Sequence, residues 1–216
     1  MTQIFPKAAN SFSKASLVAF VLTVTAGTAV YSLLFRSPYV DEKRVVLEQP
    51  VPFSHKHHVG EVGLDCRFCH TSVESSAFAG IPPVSTCMTC HSQIWKDSPM
   101  LEPVRDAMRG GKPLVWRRVN ALPEFVYFNH SIHVHKGIGC ASCHGPVDRM
   151  PLTWRQSSLE MRWCVSCHEH PERQVRPREA VFDMAYRPPS NQEELGRRLV
   201  AEYHIQRKTD CVTCHR

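Results

Sequence analysis

The chain has 216 residues and a formal net charge of +6, a basic excess that by itself points to an anionic partner such as nucleic acid. Only 43% of it is apolar, and one N-terminal stretch takes a share of that. The roughly 180 residues that follow suffice for one domain of ordinary size.

Residues 15–35 carry no charge and are bracketed by Lys14 and Arg36; at about 1.5 Å per residue they can cross a bilayer core. Lys7 and Lys14 stand before the run without an acid, whereas Asp41 and Glu42 dilute the basic residues after it. The positive-inside rule then predicts a cytoplasmic N-terminus at 1–14, a transmembrane signal-anchor helix at 15–35 in the inner (cytoplasmic) membrane, and a linker at 36–50. Residues 51–216 would lie on the periplasmic, extracytoplasmic side. A cleaved signal peptide is the competing reading, because Gly27-Thr28-Ala29 offers small residues; the apolar run continues to Phe35, which favours a retained anchor.

Beyond residue 50 the chain repeats itself. Phe53-Ser-His55-Lys-His-His58-Val59 with Gly63-Leu64 is copied as Phe128-Asn-His130-Ser-Ile-His133-Val134 with Gly137-Ile138. Each copy leads into two Cys-x-x-Cys-His motifs, Cys66/Cys69/His70 and Cys87/Cys90/His91 in the first, Cys140/Cys143/His144 and Cys164/Cys167/His168 in the second. Cys211/Cys214/His215 is a fifth, and the five motifs use all 10 cysteines. Such a motif attaches c-type haem through two thioethers and offers its histidine as proximal iron ligand. Structural zinc or a disulfide framework would use the cysteines but leave the five adjoining histidines unexplained. The reading is five covalently bound haem c groups, in two-haem modules at about 51–95 and 126–170 with the fifth at about 190–216.

Five cofactors change the earlier inferences. A ferric haem with ionised propionates adds about −1, which brings the charge near +1 and removes the argument for nucleic acid. Porphyrins replace much of the side-chain core, so the expected fold is a multihaem cytochrome c of short α-helices and irregular loops with little or no sheet. Between the modules, Ser98-Pro99 opens a helical pattern with Leu101, Val104 and Met108 on one face, stopped by Gly110-Gly111. After Pro188-Pro189, Ser190 and Glu193 read as a capping box, followed by Leu195, Leu199 and Tyr203 at four-residue spacing.

Eight histidines remain for the distal iron positions. His55, His58, His130 and His133 hold equivalent i, i+3 places in the two copies, where both imidazoles share one helical face. His204, delivered by the last helix, is the expected fifth distal ligand; Met150, Met161 and Met184 are its rivals. His57, His135 and His170 are expected to face solvent or propionates. No motif replaces its histidine by lysine, and the histidines suffice for all sixth positions, which favours electron transfer over substrate chemistry.

The F-x-H-x-x-H element resembles that of small cytochromes of the c3 and c7 type. By that resemblance His55 and His130 serve the haems that follow them, at Cys66 and Cys140, while His58 and His133 cross to other haems. The runs FSHKHHVGEVGLDCRFCHTSVE, AGIPPVSTCMTCHSQIW, FVYFNHSIHVHKGIGCASCHG and MPLTWRQSSLEMRWCVSCH, with one N-terminal helix, resemble the pentahaem cytochrome subunit of alternative complex III across residues 51–216. This implies an electron-relay subunit of a menaquinol:acceptor oxidoreductase, partnered by an iron-sulfur protein, quinol-binding membrane subunits and a monohaem cytochrome c. A single-helix quinol dehydrogenase and a terminal multihaem reductase are the alternatives. The roughly 30 residues between Phe35 and Cys66 set the haems further from the membrane than the first of these requires.

Overall fold

A computed structural model describes residues 5–215 except Lys7; residues 1–4 and Lys7 of the expected cytoplasmic segment, Arg216, and the side chains of Tyr39 and Asp41 lie outside the described residues. The chain forms two compact units that divide between Lys43 and Arg44.

In the first unit, helix α1 (Ala8–Phe35) has 28 residues, none of them buried. It is long and apolar enough to cross a membrane by length and composition, a test that a signal sequence also passes. A single turn, α2 (Pro38–Asp41), follows, so the expected linker begins as helix.

The second unit starts at Arg44, ahead of the expected residue 51. The Arg44 N–H donates to the Arg155 carbonyl at 2.8 Å, and Val46 bridges to Trp154. Among the described residues no strand forms; β-type pairing is confined to isolated bridges such as Val126 to His215 and Ile138 to Val175. The unit is built of short helices: α3 (Cys66–Cys69), α4 (Val84–His91), then α5 (Glu102–Met108), α6 (His130–His135), α7 (Cys140–His144), α8 (Met161–Glu169), α9 (Gln192–Glu202) and α10 (Cys211–Cys214), the motif cysteines lying on α3, α4, α7, α8 and α10. A helical turn places cysteines three apart on one face and the next histidine just beyond it.

Of the few buried apolar side chains, Leu199 of α9 and Tyr203 just past its end pack on Val175, with Leu195, Val200, Ile138 and Ile205 partly buried around them. Gly196 lets α9 approach the Pro171–Arg173 turn so closely that an added Cβ would meet the Glu172 carbonyl. The apolar face expected from the sequence is there, but the capping box is not. α9 begins after Asn191 without a side-chain cap, and the Gln192 amide donates instead to the Glu172 and Val175 carbonyls at 3.0 and 2.9 Å. Docking onto that turn thus sets the start of the helix.

The modules interlock reciprocally. The π-helical turn Lys56–Glu61 of the first module lies against Val147–Arg149 of the second, where the Lys56 N–H donates to the Met150 carbonyl. Conversely, the Ser131 and His130 N–H groups of α6 donate to the Ser76 and Ala77 carbonyls of the first module. Gly137, the counterpart of Gly63, has φ +76° and stands so close to Tyr203 and the Arg176 carbonyl that no side chain fits.

Candidate haem sites

The repeated Phe-x-His-x-x-His element builds the same geometry twice. Phe53 stacks on His58 at 4.5 Å and meets His55 edge-on at 4.9 Å; Phe128 stacks on His133 at 4.4 Å and meets His130 edge-on at 4.8 Å. Ser54 and Asn129 cap the turns, their side-chain oxygens accepting from the His57 and Ile132 N–H groups. One aromatic ring thereby fixes two imidazoles at nearly a right angle.

Each of these imidazoles faces a motif histidine. His130 and His144 are 6.2 Å apart between ring centres and inclined by 7°; His58 and His91 are 6.1 Å apart at 67°, and His133 and His168 are 6.1 Å apart at 60°. Two metal–imidazole bonds of about 2 Å each leave ring centres roughly 6 Å apart, so these pairs have the spacing of two axial ligands on one iron. For His55, the motif histidine whose charge acts on it most strongly, after burial, is His70.

Hydrogen bonding leaves the correct nitrogen free. Nδ1–H of His58, His130 and His133 donates to the carbonyls of Ser54, Ala77 and Asn129 at 2.8, 2.7 and 2.7 Å, and that of His55 to Thr153 Oγ1 at 2.9 Å. On the motif side, His70, His91, His168 and His215 donate to the carbonyls of Gly80, Ile94, Lys208 and Phe125. Nε2 is spared throughout, as iron ligation requires. Burial pushes His144 down to about 4, with His130, His70 and His55 adding to it, and pushes His55 to about 4, with His70 and His58 adding. His133 is lowered by burial and by His168 and His130. Neutral imidazoles keep the lone pair that a metal takes.

His135, by contrast, commits Nε2 to the Glu74 carbonyl at 2.9 Å, and His57 and His170 turn Nδ1 to Glu61 and Glu172 at 3.0 and 3.3 Å. His204 is exposed just past the end of α9 with φ 51°, and the His215 ring lies 5.8 Å from that of Phe125. Among the methionine rivals, Met150 is fully buried and Met161 is exposed.

No disulfide joins any of the motif cysteines Cys66, Cys69, Cys87, Cys90, Cys140, Cys143, Cys164, Cys167, Cys211 and Cys214. Cys66 and Cys140 share a hydrogen bond; that contact and burial raise the Cys140 thiol. Burial pushes Cys143 up to about 12, with Cys167 and Cys164 contributing, while Cys69 feels Cys87 and Cys164 feels Cys214. Unbridged cysteine pairs on helical turns, each with an outward Nε2 beside it, fit covalent haem.

Two families account for most of the chain. Residues 126–216 match cytochrome c7 and related cytochrome c, and residues 35–114 match the class III cytochrome C family. The chain is a multihaem cytochrome c. Cytochromes of these families hold haem c covalently, and their role is electron transfer. This cytochrome is also 37% identical over 98 residues to the menaquinone reductase multiheme cytochrome c subunit of Nitratidesulfovibrio vulgaris. The match covers 45% of this chain and 46% of that relative, so the chain spans about half of the relative's length. Thr153 and Asn120, which support site imidazoles, carried no sequence signal; Phe53 and Phe128 were visible only as repeated letters.

Proposed function

We propose that this cytochrome holds five haem c groups and relays electrons within a membrane-bound menaquinol:acceptor oxidoreductase of the alternative complex III kind. The direction would be from an iron-sulfur subunit, itself served by quinol-binding membrane subunits, towards a monohaem cytochrome c or a soluble acceptor. When bound, haem supplies reversible one-electron Fe(III)/Fe(II) chemistry. The protein's part is to order the five sites and to exclude open iron positions. His55, His58, His130 and His133 are the distal partners of His70, His91, His144 and His168, and His204 is the proposed partner of His215.

The observation carrying this reading is the set of imidazole pairs, His58 with His91, His130 with His144 and His133 with His168, whose ring centres stand 6.1, 6.2 and 6.1 Å apart. Replacing Cys66 and Cys69 by Ala in the assembled complex removes one site of the five and is expected to abolish quinol-to-acceptor turnover. Turnover at the normal rate would rule out a serial relay.

The relative's name, that of a menaquinone reductase subunit, favours a second reading, in which electrons run through the cytochrome to menaquinone rather than from it. The sign of net electron flow in membrane vesicles, read from haem reduction on adding menaquinol, separates the two.

The fifth distal position rests on chain position alone. His204→Ala is expected to make one haem high-spin and open to carbon monoxide, and His204→Met to keep it low-spin at a raised potential. An unchanged spectrum in the alanine variant moves the assignment to Met161 or Met184.

A further inference from the structure

Four of the five motif histidines donate Nδ1–H to main-chain carbonyls, which no substitution at the acceptor residue removes. His144 is the exception. Its Nδ1 lies 3.1 Å from the side-chain amide nitrogen of Asn120. Residue 120 belongs to neither module and is carried there by a pinned strand of loop. Gln49 holds that loop from one side, exchanging two 2.9 Å hydrogen bonds with the Arg117 main chain, and Arg155 Nε donates to the Val119 carbonyl at 3.1 Å.

With the amide nitrogen turned towards Nδ1, Asn120 Oδ1 is buried without a donor. Iron ligation at Nε2 puts the imidazole hydrogen on Nδ1, where it needs an acceptor. A half-turn of the terminal amide answers both demands, since Oδ1 then accepts from Nδ1–H. We propose that Asn120 is the positioning residue of His144 and sets the reduction potential of the haem at Cys140 through this side-chain hydrogen bond. The inference rests on the reading of His144 as a ligand of that haem.

Acceptance of the Nδ1 hydrogen makes the imidazole a more basic ligand and favours Fe(III), so the strength of the acceptor tunes the potential. A charged acceptor strengthens the effect and a missing one cancels it. The position suits a control point, because the Cys140 motif is third of five along the chain and His130, which faces His144, is held by Ala77 of the first module.

The test is a spectroelectrochemical titration of full-length, haem-loaded protein, with haem content counted by mass. Asn120→Asp is expected to move one of the waves to lower potential and Asn120→Leu to move the same wave up, the others staying in place. A purely structural role would move both variants in one direction. Shifts of the same sign, or no shift with haem content intact, overturn the proposal; the isosteric Asp variant decides the question alone should the Leu variant lose haem. His144→Met identifies the wave, and if that variant shifts none, it is the ligation of His144 that fails instead.

Discussion

His133→Ala will turn the haem at Cys164 high-spin and leave the haem at Cys140, which lies nearer in sequence, low-spin. The His133 ring stands 6.1 Å from His168, whereas its neighbour three residues earlier, His130, stands 6.2 Å from His144. Phe128 holds the two apart, stacked on one and edge-on to the other, so neither imidazole can replace its neighbour without breaking that packing. His58→Ala will do the same to the haem at Cys87, through His91. Removing the ligand costs that iron an axial bond that nothing else supplies, and the expected readout is a high-spin ferric signal and carbon monoxide binding by one haem per molecule. A change confined to the haem at Cys140 or Cys66 would show that the pairs are wrongly matched.

Replacing both Cys140 and Cys143 by Ala will remove one haem and with it the cooperative fold of the second unit. His144 is partly buried and faces His130 at 6.2 Å, and His130 is in turn held by Ala77 of the first module. The side-chain core that would remain, around Val175, Leu199 and Tyr203, is small. Cofactor binding free energy is folding free energy in such a chain, so its loss at the centre is expected to cost on the order of 5 kcal/mol or more, comparable with the whole stability of a small domain. Mass spectrometry gives the haem number, and protease sensitivity at 25 °C with loss of a sharp thermal transition gives the fold. A four-haem protein with the parent's transition would show that the haems are guests of a self-sufficient scaffold.

Much of the site was legible because its chemistry is local. Two cysteines three apart and the adjoining histidine fall on one helical turn whatever the rest of the chain does, and the Phe-x-His-x-x-His copies declare a repeat by letter alone. The apolar face of α9 was legible for the same reason, through its four-residue period. The start of that helix was not, because the Gln192 amide is drawn to carbonyls 17 and 20 residues away in sequence, and no local pattern encodes that pull. The division at Arg44 was hidden likewise, since it depends on a hydrogen bond to residue 155.

The sequence by itself determined what each site is made of: paired thiols, an adjoining imidazole and a spare imidazole for most irons, together with an uncharged N-terminal run that could only be helical. Tertiary structure decided which imidazole faces which, because that choice is made across the modules. His55 is oriented by Thr153 of the second module and His130 by Ala77 of the first, contacts separated by 98 and 53 residues. Only folding brings such groups within the 3 Å over which a hydrogen bond can aim a ring.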